Sequence, residues 1–240
     1  FCSGCGTATS PTASFCPGCG AHLRTGASAN ADNRRFRLGG LGRALTWTWG
    51  IACAVSLLAA IAHLLRAGLV SDFLDNPYSV SMSEADDADA NVILATGARI
   101  ATNGLAFIIM IVFAWRATKN LQMSGATLKR GPGWAIGGWF IPIGNLWIPY
   151  QVVRDTWRLA PGADANNNQT VEAIWLAAFI GFWVSVLIGN MAPNGDSFED
   201  LRSADYFGAA ASLGLAAVFV GFILTFRSIA EKHDQPTSQR

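Results

Sequence analysis

The chain has 240 residues, 51% of them hydrophobic and only 14% charged, with a formal net charge of +1. Soluble domains carry about 25% charged residues, so this composition excludes an ordinary soluble globule and points to lipid contact. So small a net charge also argues against nucleic acid as the main partner, because neutralising phosphates requires concentrated Lys and Arg.

The first segment, residues 1–22, is rich in Cys and Gly. Cys2, Cys5, Cys16 and Cys19 follow the spacing C-x2-C-x10-C-x2-C, written CSGCG and CPGCG, whereas Cys53 stands alone in an apolar stretch. A thiolate pair at this spacing grips one metal ion from a tight turn, and two pairs complete a tetrahedral set. The glycine after each second cysteine suits a turn that needs positive φ. Twenty residues bury too little surface to fold alone, so the metal supplies the folding energy. The expectation is a zinc ribbon with structural Zn2+. The alternatives are iron in the same geometry or two disulfides, and a reducing cytoplasm disfavours the latter. Four cysteines already close the site, which leaves His22 a bystander and gives the metal no open position for catalysis.

Residues 23–43 (LRTGASANADNRRFRLGGLGR) lack apolar periodicity and read as a flexible basic linker. Such a linker reaches about 25 Å in root-mean-square terms. The membrane domain follows over 44–228, and a polar tail closes the chain at 229–240. Leu45–Leu65, Ala173–Gly195 and Tyr206–Phe226 carry no charge, and about 20 such residues cross a hydrocarbon core. A fourth run, Ile100–Trp115, extends back to Val92 once Arg99 is accepted inside it. The predicted spans are 45–66, 92–116, 172–192 and 206–227.

Residues 132–158 form a fifth apolar stretch of a different kind. Pro132, Pro142 and Pro149, with Gly144-Asn145 between them, prevent one regular helix. Broken helices at membrane depth occur only where protein or water covers the freed backbone. If this segment turns back, fourteen Lys and Arg fall on the cytoplasmic side against Arg66, Arg99 and Arg202 outside; if it spans, the count is ten against seven. The positive-inside rule therefore selects four spans with both termini cytoplasmic. The fold class is an all-α integral membrane helical bundle, with four transmembrane helices, a Pro-broken re-entrant or interfacial segment and a small N-terminal zinc ribbon. Two acidic outer loops, 71–91 and 192–205, result.

Polar residues inside spans are costly and mark candidate sites. Arg99 snorkels or pairs with the acids at 84–89, or else contacts an anionic substrate; with Asn103, which can bond across helices, it forms a candidate intramembrane polar site. His63 and Arg66, one turn apart, mark the outer interface, and Cys53 is a small buried apolar residue. The second candidate site is the broken segment itself, through Trp139, Pro142, Asn145, Trp147, Pro149, Tyr150 and Arg154. It is either an interfacial helix anchored by aromatics or a re-entrant piece lining a cavity.

The stretch G-W-x-x-x-G-W-F-x-P-x-x-N-L-W-x-P-Y, followed by a basic residue and Trp, resembles the actinobacterial membrane-protein family called domain of unknown function 4328. It is carried here by Gly133, Trp134, Gly138, Trp139, Phe140, Pro142, Asn145, Leu146, Trp147, Pro149, Tyr150, Arg154 and Trp157. The resemblance covers roughly residues 45–228 and implies a bacterial plasma-membrane protein of similar topology, with no catalytic activity attached. The excess of Arg over Lys, fourteen to three, fits a GC-rich bacterium.

With no recognisable catalytic constellation, an enzyme is not expected. The leading expectation is a membrane adaptor whose ribbon docks or senses a cytoplasmic or membrane protein partner. The alternative is a small transporter or channel using the segment around Asn145, as a homo-oligomer. Lipid bilayer is an expected partner and nucleic acid is not.

Overall fold

The structure, a computed structural model, describes residues 2, 5–10, 13, 15–21, 35–160, 165–194 and 196–234, with backbone alone at 165–168. His22, Arg24, Arg34, most of the predicted linker and the tail beyond Asp234 lie outside the described residues.

Six α-helices follow the cysteine-rich segment: α1 (Gly39–Asp75), α2 (Met82–Met123), α3 (Trp134–Gly137), α4 (Ile148–Arg158), α5 (Ala165–Asn190) and α6 (Phe198–His233), with a 3-10 turn at Gly144–Leu146. Among the described residues, α1, α2, α6 and the Gln169–Asn190 part of α5 are long and apolar enough to cross a membrane. The predicted fold class, an all-helical bundle with four such helices, is what the structure has.

The helices overrun the predicted spans. At 37 and 42 residues, α1 and α2 extend about 55 and 63 Å, against a hydrocarbon core of about 30 Å. The expected acidic loop at 71–91 is therefore mostly helix, and only residues 76–81 connect the two. Ser81 starts α2 with a capping box: its hydroxyl accepts from the Glu84 amide (3.3 Å) and the Glu84 carboxylate accepts from the Ser81 amide (2.8 Å). Ser197 caps α6 in the same way through the Asp200 amide (3.1 Å), so the second acidic loop also shortens.

Packing runs in the order α2–α1–α6–α5, and the broken segment packs against α2 on one side and α5 on the other. Small residues are buried on both helices of the α1–α6 pair: Ala52, Ala59, Ala60 and Ala67 on α1, and Ala209, Ser212 and Ala216 on α6. Close backbone approach of this kind substitutes for the hydrophobic effect that lipid removes. An aromatic ladder joins all four spans. Trp49 stacks on Phe219 at 4.8 Å, Phe113 meets Phe226 edge-on at 5.3 Å, and Trp175 touches Phe222 and Phe226 at 5.3 and 5.8 Å. Outside this core Trp47, Leu58, Leu65, Ile93, Leu94 and Ile100 are exposed. So large an apolar surface is the surface that lipid covers.

The end of the bundle that holds the start of α1 and the end of α6 is tied by polar contacts. The Asp234 carboxylate accepts from the Leu38 and Gly39 amides (2.9 and 2.7 Å), satisfying donors that a helix start leaves free. Asn120 pairs twice with the Phe36 backbone, at 2.8 Å each way. Leu38 is fully buried. Residues 35–43 are thus part of the bundle and not of a free linker, because these side chains supply the hydrogen bonds that their backbone needs.

Candidate functional site

The four cysteines converge as their spacing predicts. Their sulfurs all lie within 4.8 Å of one another, with Cys2 to Cys19 at 3.7 Å and Cys5 to Cys16 at 3.5 Å. A tetrahedral ion with bonds of about 2.3 Å sets sulfurs about 3.8 Å apart, so the donor set fits one. Two matching turns build it: the Gly6 amide bonds to the Cys2 carbonyl (2.8 Å) and the Gly20 amide to the Cys16 carbonyl (2.9 Å). Gly6 and Gly20 have φ of 71° and 70°, a region that a Cβ disfavours. Hydrogen bonds from Thr7 bring the Cys5 thiol down to about 6. At Cys19 the Ala21 amide lowers the pKa, but the three neighbouring sulfurs outweigh it and push the thiol up to about 12. Adjacent thiolates repel, and a bound cation relieves that repulsion.

The broken segment is a hairpin. Arg130 Nε donates to Gln151 Oε1 at 3.0 Å, so its two ends meet on one side of the bundle. Between them the chain avoids lost hydrogen bonds by tight local turns. Gly137 donates to Gly133 O (2.8 Å), Gly138 to Trp134 O (3.0 Å), Asn145 to Ile141 O (2.7 Å) and Trp147 to Gly144 O (3.1 Å). Two glycines let the return helix close on the descending strand of chain: a Cβ on Gly138 would meet Ile148 Cγ2 at 2.5 Å, and one on Gly144 would meet Ile148 Cδ1 at 2.7 Å. Pro149 sits in the first turn of α4, where its missing N–H costs nothing.

The named residues of this segment divide by role. Trp139 is buried between Phe107 of α2 (4.9 Å) and Phe179 of α5 (6.4 Å). The Tyr150 carbonyl accepts from Trp175 Nε1 (3.1 Å) and its ring lies 5.7 Å from the Arg154 guanidinium, which also pairs with Asp155 (3.0 Å). Arg158 pairs with Glu172 of α5. Phe140, Pro142, Ile143 and Trp147 at the tip are exposed, so the tip offers apolar side chains outward. Asn145 Oδ1 is buried without a hydrogen-bond partner among the described residues.

A second set of orphaned polar atoms lies on α2. Thr96 Oγ1, Arg99 Nε and Asn103 Oδ1 are all buried without a hydrogen-bond partner among the described residues. Spacings of three and four put them on one helix face, the face that continues to Phe107 and Trp139. Pairing of Arg99 with the acids at 84–89 does not occur: Asp89 binds Arg66 instead (2.9 Å), and Glu84 is taken by Ser81 (2.8 Å). The cross-helix bond expected of Asn103 Oδ1 is likewise not made. Cys53 is only half-buried, its sulfur 3.5 Å from the Ala216 carbonyl.

His63 and Arg66 do more than mark an interface. Both converge on Asp205 of α6, which is fully buried. Arg66 Nε and Nη2 reach the two Asp205 oxygens at 2.9 and 2.8 Å, and His63 Nδ1 lies 2.7 Å from Oδ1. A buried carboxylate is tolerable because this fork-like pairing restores most of its lost hydration. Sequence reasoning placed Asp205 in an acidic loop; the signal for its role was a histidine and an arginine one turn apart at the edge of an apolar run.

The family model described as Domain of unknown function (DUF4328) matches residues 76–231, about two thirds of the chain. No curated protein and no solved structure matches the chain significantly.

Proposed function

The chain belongs to the DUF4328 family, whose description carries no activity, and from that premise we propose a non-enzymatic adaptor of the bacterial plasma membrane. Four spans hold both termini in the cytoplasm, and a zinc ribbon at 1–22 docks or senses a protein partner there. The observation that carries this reading is the closed set of four sulfurs within 4.8 Å of one another. Four protein ligands leave a zinc ion no position for water or substrate, which is the arrangement of structural sites. The zinc then organises a small surface, and the bundle fixes that surface to the membrane.

The test compares proximity labelling by the intact protein and by a Cys16→Ser/Cys19→Ser variant, at matched membrane levels. A specific set of cytoplasmic proteins lost with the metal site supports the adaptor. An unchanged set removes it.

A second reading, a small transporter working as a homo-oligomer, is favoured by the unsatisfied Thr96, Arg99, Asn103 and Asn145. A half-buried arginine in an apolar helix, its Nε without a partner among the described residues, is a candidate anion contact. Anion flux in proteoliposomes that falls in both Arg99→Gln and Asn145→Leu supports it; flux no higher than that of empty liposomes rules it out.

A further inference from the structure

At the tied end of the bundle a groove of about 1000 Å³ opens sideways along the first turns of α1, bounded by α2 and α6. Four arginines line it: Arg37 and Arg43 at the start of α1, Arg116 on α2 and Arg227 on α6. Three of them sit at one level. Arg43 just precedes the charge-free run Leu45–Leu65, Arg116 just follows Ile100–Trp115, and Arg227 just follows Tyr206–Phe226. The groove therefore lies where hydrocarbon ends and headgroups begin. Trp47, about two turns into α1 and 74% exposed, is the aromatic anchor expected at that depth.

The charge in the groove is not balanced locally. Four guanidinium groups face two carboxylates in its lining: Arg227 pairs with Glu231 (2.9 Å), and Asp234 accepts from the Leu38 and Gly39 amides. Arg37, Arg43 and Arg116 form no ion pair with a described residue, and Arg116 is held in place over the Phe36 ring at 5.5 Å. Gly39, Gly40 and Gly42 line the same wall, where Gly39 and Gly42 let α1 approach Asp234 and Ala230 closely. We propose that this groove binds the phosphate of an anionic glycerophospholipid from the inner leaflet, with Arg43 and Arg116 as the phosphate ligands and Trp47 against the acyl chains. Guanidinium groups match phosphate oxygens in geometry and charge. Arginines from three elements around one cavity distinguish a site from scattered positive-inside charge.

The experiment is native mass spectrometry of the full chain in zwitterionic detergent, with phosphatidylglycerol and phosphatidylcholine supplied equally. The expected result is one retained phosphatidylglycerol, with occupancy about tenfold lower in Arg43→Gln/Arg116→Gln and unchanged in Lys129→Gln, a cation at the same end but outside the groove. Arg43 is exposed, so Arg43→Gln alone folds and still lowers occupancy. Equal retention of phosphatidylcholine overturns the proposal, as does an equal loss in Lys129→Gln. Displacement of the lipid by millimolar inorganic phosphate overturns it in favour of a soluble phosphate ligand.

Discussion

Arg130 and Gln151 are 21 positions apart in sequence, yet a guanidinium nitrogen and an amide oxygen of the two meet at 3.0 Å. A helix of about 20 residues would separate its ends by about 30 Å. The intervening chain therefore returns to its starting side. Single cysteines at Lys129 and Arg158, in a background freed of native cysteines, are expected to react with a membrane-impermeant maleimide from the same face. Labelling from opposite faces would show that the segment crosses.

The cysteine cluster makes metal binding proton-coupled, with a definite sign. Near neutral pH Cys5, held at about 6, is already thiolate, whereas Cys19, pushed to about 12, keeps its proton until metal arrives. Uptake then releases protons, and affinity weakens as pH falls, most steeply below about 6 where Cys5 also becomes protonated. Zinc titration against a chromophoric chelator at pH 5.5, 7 and 8 measures this. The full chain should carry one zinc, and Cys16→Ser/Cys19→Ser should carry none.

Asp205→Asn leaves the Arg66 guanidinium, already bound to Asp89, without its buried partner. Breaking a buried pair costs about 3–5 kcal/mol when the remaining charge is left uncompensated; the exposed Asp89 still faces Arg66, so a loss near the lower end of that range is expected. Asp89→Asn, at a side chain 57% exposed, should cost under about 1 kcal/mol. Thermal unfolding in detergent is expected to rank the two variants in that order. Equal losses would mean that Asp205 contributes no more than a surface charge.

The hairpin closes only because Gly138 offers Ile148 a bare backbone. Gly138→Ala forces the two apart and is expected to cost about 1–3 kcal/mol as overpacking. Ile148→Ala restores room on one side, the Trp134 carbonyl at 2.7 Å remaining on the other, so the double variant should lose less than the sum of the two single changes. Simple additivity in a double-mutant cycle would separate these residues energetically.

Three spans were legible as charge-free runs, and the fourth as a run that tolerates Arg99, because hydrocarbon rejects most charge whatever the partner. Helix ends were harder. Beyond the hydrocarbon, residues 66–75 and 82–91 mix charged and apolar residues, so the charge-free criterion that marks a span does not reach them. The Ser81–Glu84 cap did stand in the sequence as S-x-x-E. The cysteine site was legible throughout, since its spacing is its geometry. The Asp205 centre was not, because its members lie 139 and 142 positions apart in sequence. Nor was the burial of Leu38: FRLGG reads as linker until Asp234 and Asn120 are known to supply its hydrogen bonds.

Asp234 caps a helix that begins 195 residues earlier. During synthesis the start of α1 leaves the ribosome long before the residue that completes it. The first span must therefore wait with two bare amides while the other three are inserted, and the last turn of the last helix fastens it. A chain truncated before Asp234 thus leaves the start of α1 untied, and only the finished chain fastens it.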